Sequence, residues 1–192
     1  MMKRIKDFLR KHWGKLCIAF LCTVVAGYFV NIIFFENKKD VLTVLVLQTE
    51  VDREVLTNEL QKAVAVKQGE EISIQTLDYS NSMNQGTAVT WLRSGTIDLI
   101  VGNREQMTAF GQHGYLKRLE GMGDLAEKEK FRCGTAEFDD EGNLIRAGGN
   151  DWVGVFPGRI AGIDSMDSPV IAIVENAPNK ENAFKTLEMF CK

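Results

Sequence analysis

An α/β domain, with a mostly parallel sheet flanked by helices and one transmembrane helix ahead of it, is the architecture the sequence predicts. Three observations lead there. Residues 16–35, LCIAFLCTVVAGYFVNIIFF, are twenty consecutive positions without a charge. At about 1.5 Å rise per residue such a helix reaches roughly 30 Å, the thickness of a bilayer's hydrocarbon core. Beyond it, apolar runs of strand length alternate three times with segments of helical periodicity, joined by short connectors, as in βαβ units. The first such run, VLTVLVLQ (41–48), is apolar on both faces, as a central strand covered on both sides requires.

The N-terminal elements set the topology. Lys3, Arg4, Lys6, Arg10, Lys11 and Lys15 precede the span, against Lys38 and Lys39 immediately beyond it. The positive-inside bias therefore keeps a basic tail, 1–15, in the cytoplasm. The chain is then a single-pass protein of the cell membrane with an extracytoplasmic C-terminal domain. Asn31 is the one strongly polar side chain in the span, and an amide costs less in lipid than a charge. A cleaved signal peptide is the alternative, because Val24 and Ala26 occupy small-residue positions before a cut at Gly27. A cut there would leave the remaining apolar residues of the segment exposed at the mature start. Lipid attachment at Cys22 is disfavoured by the bulky Phe20 and Leu21 before it.

Charge and cysteine content bound the rest. The whole chain has 23 basic and 26 acidic side chains, of which residues 1–15 hold six and one, so the remainder carries 17 against 25, a net −8. That sign repels phosphate backbones and anionic headgroups, which excludes nucleic acid as a partner and confines membrane contact to the N-terminal helix and its basic tail. Cys133 and Cys191 are the cysteines outside the span; their spacing is not that of a metal site, and a disulfide or two isolated thiols both remain open.

Residues 36–40 form a charged spacer, and 41–192 form the domain. Asp52 caps a helix whose stripe is Val51, Val55, Leu56, Leu60, Ala63 and Val64, closed by Gly69. EISIQTLDYS (71–80) is a second strand, with Ile72, Ile74 and Leu77 as its apolar set. The polar loop 81–87 leads to a short helix with Val89, Trp91 and Leu92 inward, ended by Gly95. TIDLIVGN (96–103) is the third strand, and a helix from Arg104 to His113 ends at Gly114. Residues 120–167 read as a β-rich excursion: a polar stretch, two short strands joined at Asp140-Glu141-Gly142-Asn143, and strands broken at Pro157-Gly158. A strand at 168–175 and a helix burying Ala183, Phe184, Leu187 and Phe190 finish the chain.

Two segments resemble the type II periplasmic or extracellular solute-binding proteins of ABC transporters. In SGTIDLIVGNREQMTAFGQHGYLKRLE (94–120), Gly95, Asp98, Leu99, Ile100, Phe110, Gly114, Leu116 and Leu119 stand at the family's places, with Ile97 where the family usually has Pro. In SPVIAIVENAPNKENAFKTLEMF (168–190), the strand, the Asn179-Lys180-Glu181 loop, Ala183, Leu187 and Phe190 are similar to the family's return segment. Asn179 is also a sound helix cap, with Glu181 near the positive helix end. Full members close two lobes over a ligand. This chain has only about 47 residues between the two matching segments, so the resemblance is to one lobe, with 120–167 in place of the second.

No catalytic constellation is legible. His113 is the one histidine after the span, and its place before Gly114 suits a helix C-terminus rather than a triad or metal site. There is no GxxxxGK[ST] loop, no cofactor signature and no EF-hand spacing around Asp139, Asp140, Glu141 and Asn143, which read as a solvated turn. An enzyme would need strongly perturbed acids at Glu50, Asp78 or Glu105. A ligand on an open α/β sheet binds beyond the carboxyl ends of the strands. That selects Thr49 and Glu50, then Tyr79, Ser80 and Asn81, then Asn103 and Arg104. Trp152 joins them as a second ring, with Tyr79, for stacking on a sugar or organic ligand, local packing being the alternative for both. The expectation is a membrane-anchored, non-enzymatic protein without metal or cofactor, binding a small solute or a partner such as a transporter. The alternative is an interaction module of a membrane complex.

Overall fold

A computed structural model describes residues 13, 18, 20–28, 38–119, 129–139, 141 and 143–191. The chain divides into two compact units, Met1–Lys39 and Asp40–Lys192. In the first, residues 20–28 are helical, and Ile18, Phe20, Leu21, Val24, Val25 and Tyr28 are exposed. The rest of the expected span 16–35 lies outside the described residues, as do most of the basic tail and the polar stretch 120–128. Among the described residues no helix is long and apolar enough to cross a membrane.

The second unit runs β1 (Lys39–Val46), α1 (Arg53–Leu60), β2 (Glu70–Thr76), α2 (Ser82–Arg93), β3 (Leu99–Gly102), α3 (Arg104–Gln112), β4 (Lys130–Cys133), β5 (Ala136–Phe138), β6 (Leu144–Ala147), β7 (Asp151–Val155), β8 (Val170–Ile173) and α4 (Lys180–Phe190). Six strands form one sheet in the order β2-β1-β3-β8-β7-β4, and β5 and β6 form a separate two-stranded ribbon. The α/β class holds, with helices packed on the sheet: α1 against β2, α3 against β3 and β4, α4 against β8.

The sheet is mixed rather than mostly parallel. β1 and β3 pair parallel, but β3/β8, β8/β7 and β7/β4 all pair antiparallel. Residues 156–169, between β7 and β8, contain no helix to carry a crossover, so the chain turns back and the two strands lie side by side. β4 and β7, from the region read as an excursion, are thus members of the main sheet. Among the described strands, only those of the β5–β6 ribbon stand off it.

Burial explains the central strands. Val41, Leu42 and residues 44–47 of β1 and its exit, Leu99–Val101 of β3, and Val170–Ile173 of β8 are all buried. Each such side chain contributes roughly 1.5–3 kcal/mol on leaving water. Their apolar faces are covered by Leu56 and Leu60 of α1, Ala88 and Leu92 of α2, Met107 and Phe110 of α3, and Ala183 and Leu187 of α4.

Local chemistry moves two boundaries. α1 stops at Leu60, and Gly69, at φ 84°, turns the chain into β2 instead of closing the helix. α2 starts at Ser82, because Asn81 caps it by accepting the Met83 N–H at 2.9 Å, so the stretch read as a loop is its first half. Cys133 and Cys191 are free thiols, both pushed up to about 11, first by burial.

Candidate functional site

The carboxyl ends of β1 and β3 reach the same edge, since the two strands run parallel in register. Leu77, at the exit of β2, also meets this edge, its N–H donating to the Val46 carbonyl. The sequence-selected loops therefore gather there. Thr49 and Glu50 follow β1 and are exposed; Ser80 and Asn81 follow β2; Asn103 and Arg104 follow β3.

Most of their polar groups already serve the fold. Asn81 caps α2, and Asn103 forms a capping box with Gln106, each side chain bonding the other's backbone N–H at 2.9 Å. Ser80 donates to Asp78 through its hydroxyl at 2.6 Å and its N–H at 3.0 Å, which holds the Asp78 carboxyl below the usual carboxylate range. Tyr79 packs on Phe110 with ring centroids 5.4 Å apart, and burial raises its phenol. Arg104 lies over the Phe156 ring at 5.9 Å.

Trp152 does not join this group. It sits three residues before the end of β7, roughly 10 Å back along the strand. Its indole N–H donates to the Gly154 carbonyl at 2.7 Å, and the Lys130 ammonium stands 4.9 Å from the ring centroid.

The strap 156–169 lies against the same edge, a feature with no periodic signal in the sequence. Asp52 N–H donates to the Gly162 carbonyl at 2.9 Å, and Gln48 donates to the Ser165 hydroxyl at 3.0 Å. Gly162 has φ 84°, and a Cβ there would stand 2.6 Å from the Asp52 carbonyl, so only glycine permits this approach. Arg159 and Asp164 pair within the strap at 2.6 Å. The chain's own connection thus docks on the edge where a ligand was expected.

A concavity opens at the opposite edge. A cleft of about 710 Å³ lies between the C-terminal ends of α2 and α3, the β5 strand and the turn after β8. Gly114 holds the ribbon close: it has φ 74°, and a Cβ on it would stand 2.6 Å from the Ala136 carbonyl and 3.3 Å from the Phe138 ring. Arg93 donates from Nε to the Tyr115 hydroxyl at 3.0 Å. Lys117 pairs with Glu175 at 3.6 Å. Arg118 is shared between Glu137 and Asp151, each at 3.4 Å. His113 is the C-cap of α3 at the rim.

One buried acid ties the two resembling segments together. Asp98 is fully buried and accepts from Thr43 N–H at 2.8 Å, Asn179 N–H at 2.6 Å and Asn179 Nδ2 at 3.0 Å. Asn179 stands at the N-cap of α4, yet its side chain makes no cap bond, because the buried carboxylate takes it. In the β5–β6 turn, Asp139 accepts the N–H groups of Glu141 and Asn143, a local turn. Among the described residues no group of three His, Cys, Asp or Glu is arranged to hold a metal.

No family model and no curated protein matches the chain. Among solved structures it is similar to the PBP AttC of Agrobacterium tumefaciens strain C58 in an open unliganded conformation. The two share 12% identity and a TM-score of 0.43, over 80% of this chain and 79% of that one.

Proposed function

We propose that this is a membrane-anchored, extracytoplasmic, non-enzymatic protein of the solute-binding type, built on one lobe and binding a small solute or a membrane partner such as a transporter. The observation that supports it best is the Asp98–Asn179 contact, which joins the two segments carrying the resemblance. β8 returns between β3 and β7 in the main sheet, joined to β7 by the 14-residue strap 156–169. The exposed apolar side chains of Ile18 and of residues 20–28 agree with a segment made for lipid. Thermal unfolding of the full-length chain in detergent, with sugars, amino acids and short peptides, tests the solute reading. A raised midpoint with one class is expected, and no shift with any of them contradicts it.

A second reading, an interaction module, has its own observation. Leu144 on β6 is 57% exposed, and Phe138, its cross-strand partner on the same face, is 45% exposed. Neighbouring exposed apolar side chains of this size are a feature of contact surfaces. A strictly monomeric chain that captures no membrane protein contradicts this reading.

A further inference from the structure

We infer that the cleft between α2, α3 and the β5–β6 ribbon is a binding site for a small organic carboxylate with an apolar, preferably aromatic, body. The site lies at the edge of the sheet opposite the strand-end loops and does not depend on their binding anything. Three observations carry it.

The first is volume. At about 710 Å³ the cleft falls within the roughly 300–1,000 Å³ that small-molecule sites occupy. The second is charge. Arg93, Lys117 and Arg118 line it against Glu137 and Glu175, a local positive surplus in a domain that is otherwise strongly acidic. Lys117 and Arg118 are engaged with acids. Arg93 is not: among the described residues its partner is the Tyr115 hydroxyl, bound through Nε, and its guanidinium carbon stands 5.8 Å from the Tyr115 ring centroid. Both terminal nitrogens therefore remain for a bidentate carboxylate, held in orientation by Tyr115.

The third is an apolar wall. Phe138 is 45% exposed and lines the same cleft, with its ring edge at Gly114, the residue before Tyr115. A guanidinium fork, a tyrosine ring and an open phenylalanine around one cleft suit a ligand with a carboxylate and a flat apolar body. A bare anion would leave Phe138 uncovered, and a neutral sugar would leave Arg93 unpaired.

Isothermal titration of the full-length chain in detergent with phenylacetate, acetate and benzyl alcohol tests this. Phenylacetate is expected to bind at least about tenfold more tightly than either fragment, and Arg93→Gln to weaken it roughly tenfold or more, the scale of a charge-assisted pair. Phe138→Ala, at an exposed position that does not threaten folding, is expected to weaken phenylacetate and leave acetate unchanged. Arg104→Gln, at the strand-end edge, is expected to leave phenylacetate affinity unchanged. Equal affinity for all three probes overturns the site, as does phenylacetate binding that Arg93→Gln and Phe138→Ala leave intact. Sensitivity to Arg104→Gln alone overturns it too, while favouring a ligand at the strand ends.

Discussion

Asn179 donates twice to the buried carboxylate of Asp98, from its backbone N–H at 2.6 Å and its side chain at 3.0 Å, across 81 residues of sequence. The same carboxylate accepts the Thr43 N–H of β1. One acid thus pins the edge of β1, the entry to β3 and the start of α4. A buried carboxylate persists only when its lone pairs are occupied, so the donors and the acid are one unit.

Asp98→Ala should therefore cost about 2–4 kcal/mol, since it strands the buried Thr43 N–H and the half-buried Asn179 N–H. Asn179→Ala should cost less, about 1 kcal/mol, because its backbone N–H still reaches Asp98. Urea unfolding midpoints of the two variants check the order. Equal losses would mean that the carboxylate is not the centre of the contact.

Gly114→Ala should destabilise by more than Gly158→Ala. Both residues have positive φ, 74° and 73°, but a Cβ at Gly114 meets the Ala136 carbonyl at 2.6 Å and one at Gly158 meets nothing within 4 Å. The expected costs are about 1 kcal/mol at Gly158 and a few at Gly114. Thermal unfolding measures both, and faster hydrogen exchange in β5 on Gly114→Ala would locate the damage.

Ser80→Ala should raise the Asp78 titration toward 3.8, its ordinary value, since the Ser80 hydroxyl is the largest cause of the depression. A depressed carboxyl favours the folded state above its unfolded value, and this contribution is lost as pH falls through the folded one. The variant should thus lose stability at neutral pH but not at pH values below both. NMR titration of the Asp78 carboxyl carbon reads the shift directly.

Cys133 and Cys191 should alkylate slowly at pH 8 in the folded chain and rapidly in urea, because burial raises both from 9.0 to about 11. The unfolded thiols ionise first, so stability should fall as pH rises from about 9 toward 11. Iodoacetamide labelling followed by mass spectrometry measures the reactivity. A disulfide between them would instead leave no mass increase on either cysteine.

The central strands were legible because their residues leave little choice: a run such as Val41–Leu47 is too apolar to be anything but buried. Asp52 announced its helix through a side chain that caps, whereas the Asn103 cap showed only in the structure. Asn81 capped just as well, but Gly86 and the polar run around it obscured the helix. Sheet direction was not legible, since a strand's side chains alternate alike whichever way the neighbour runs. The same holds for the strap and the cleft. Gly162 and Gly114 make the close approaches that build them, and in sequence neither differs from an ordinary turn glycine. Arg93 reads as the polar end of a helix until Tyr115 and the ribbon are set beside it.

Protease treatment of intact cells expressing the full-length chain, followed by carbonate washing of the membranes, tests the central claim most directly. The account predicts that the chain stays in the washed membrane and that external protease removes the domain after Lys38. Recovery of an intact chain in the soluble cytosolic fraction would contradict it.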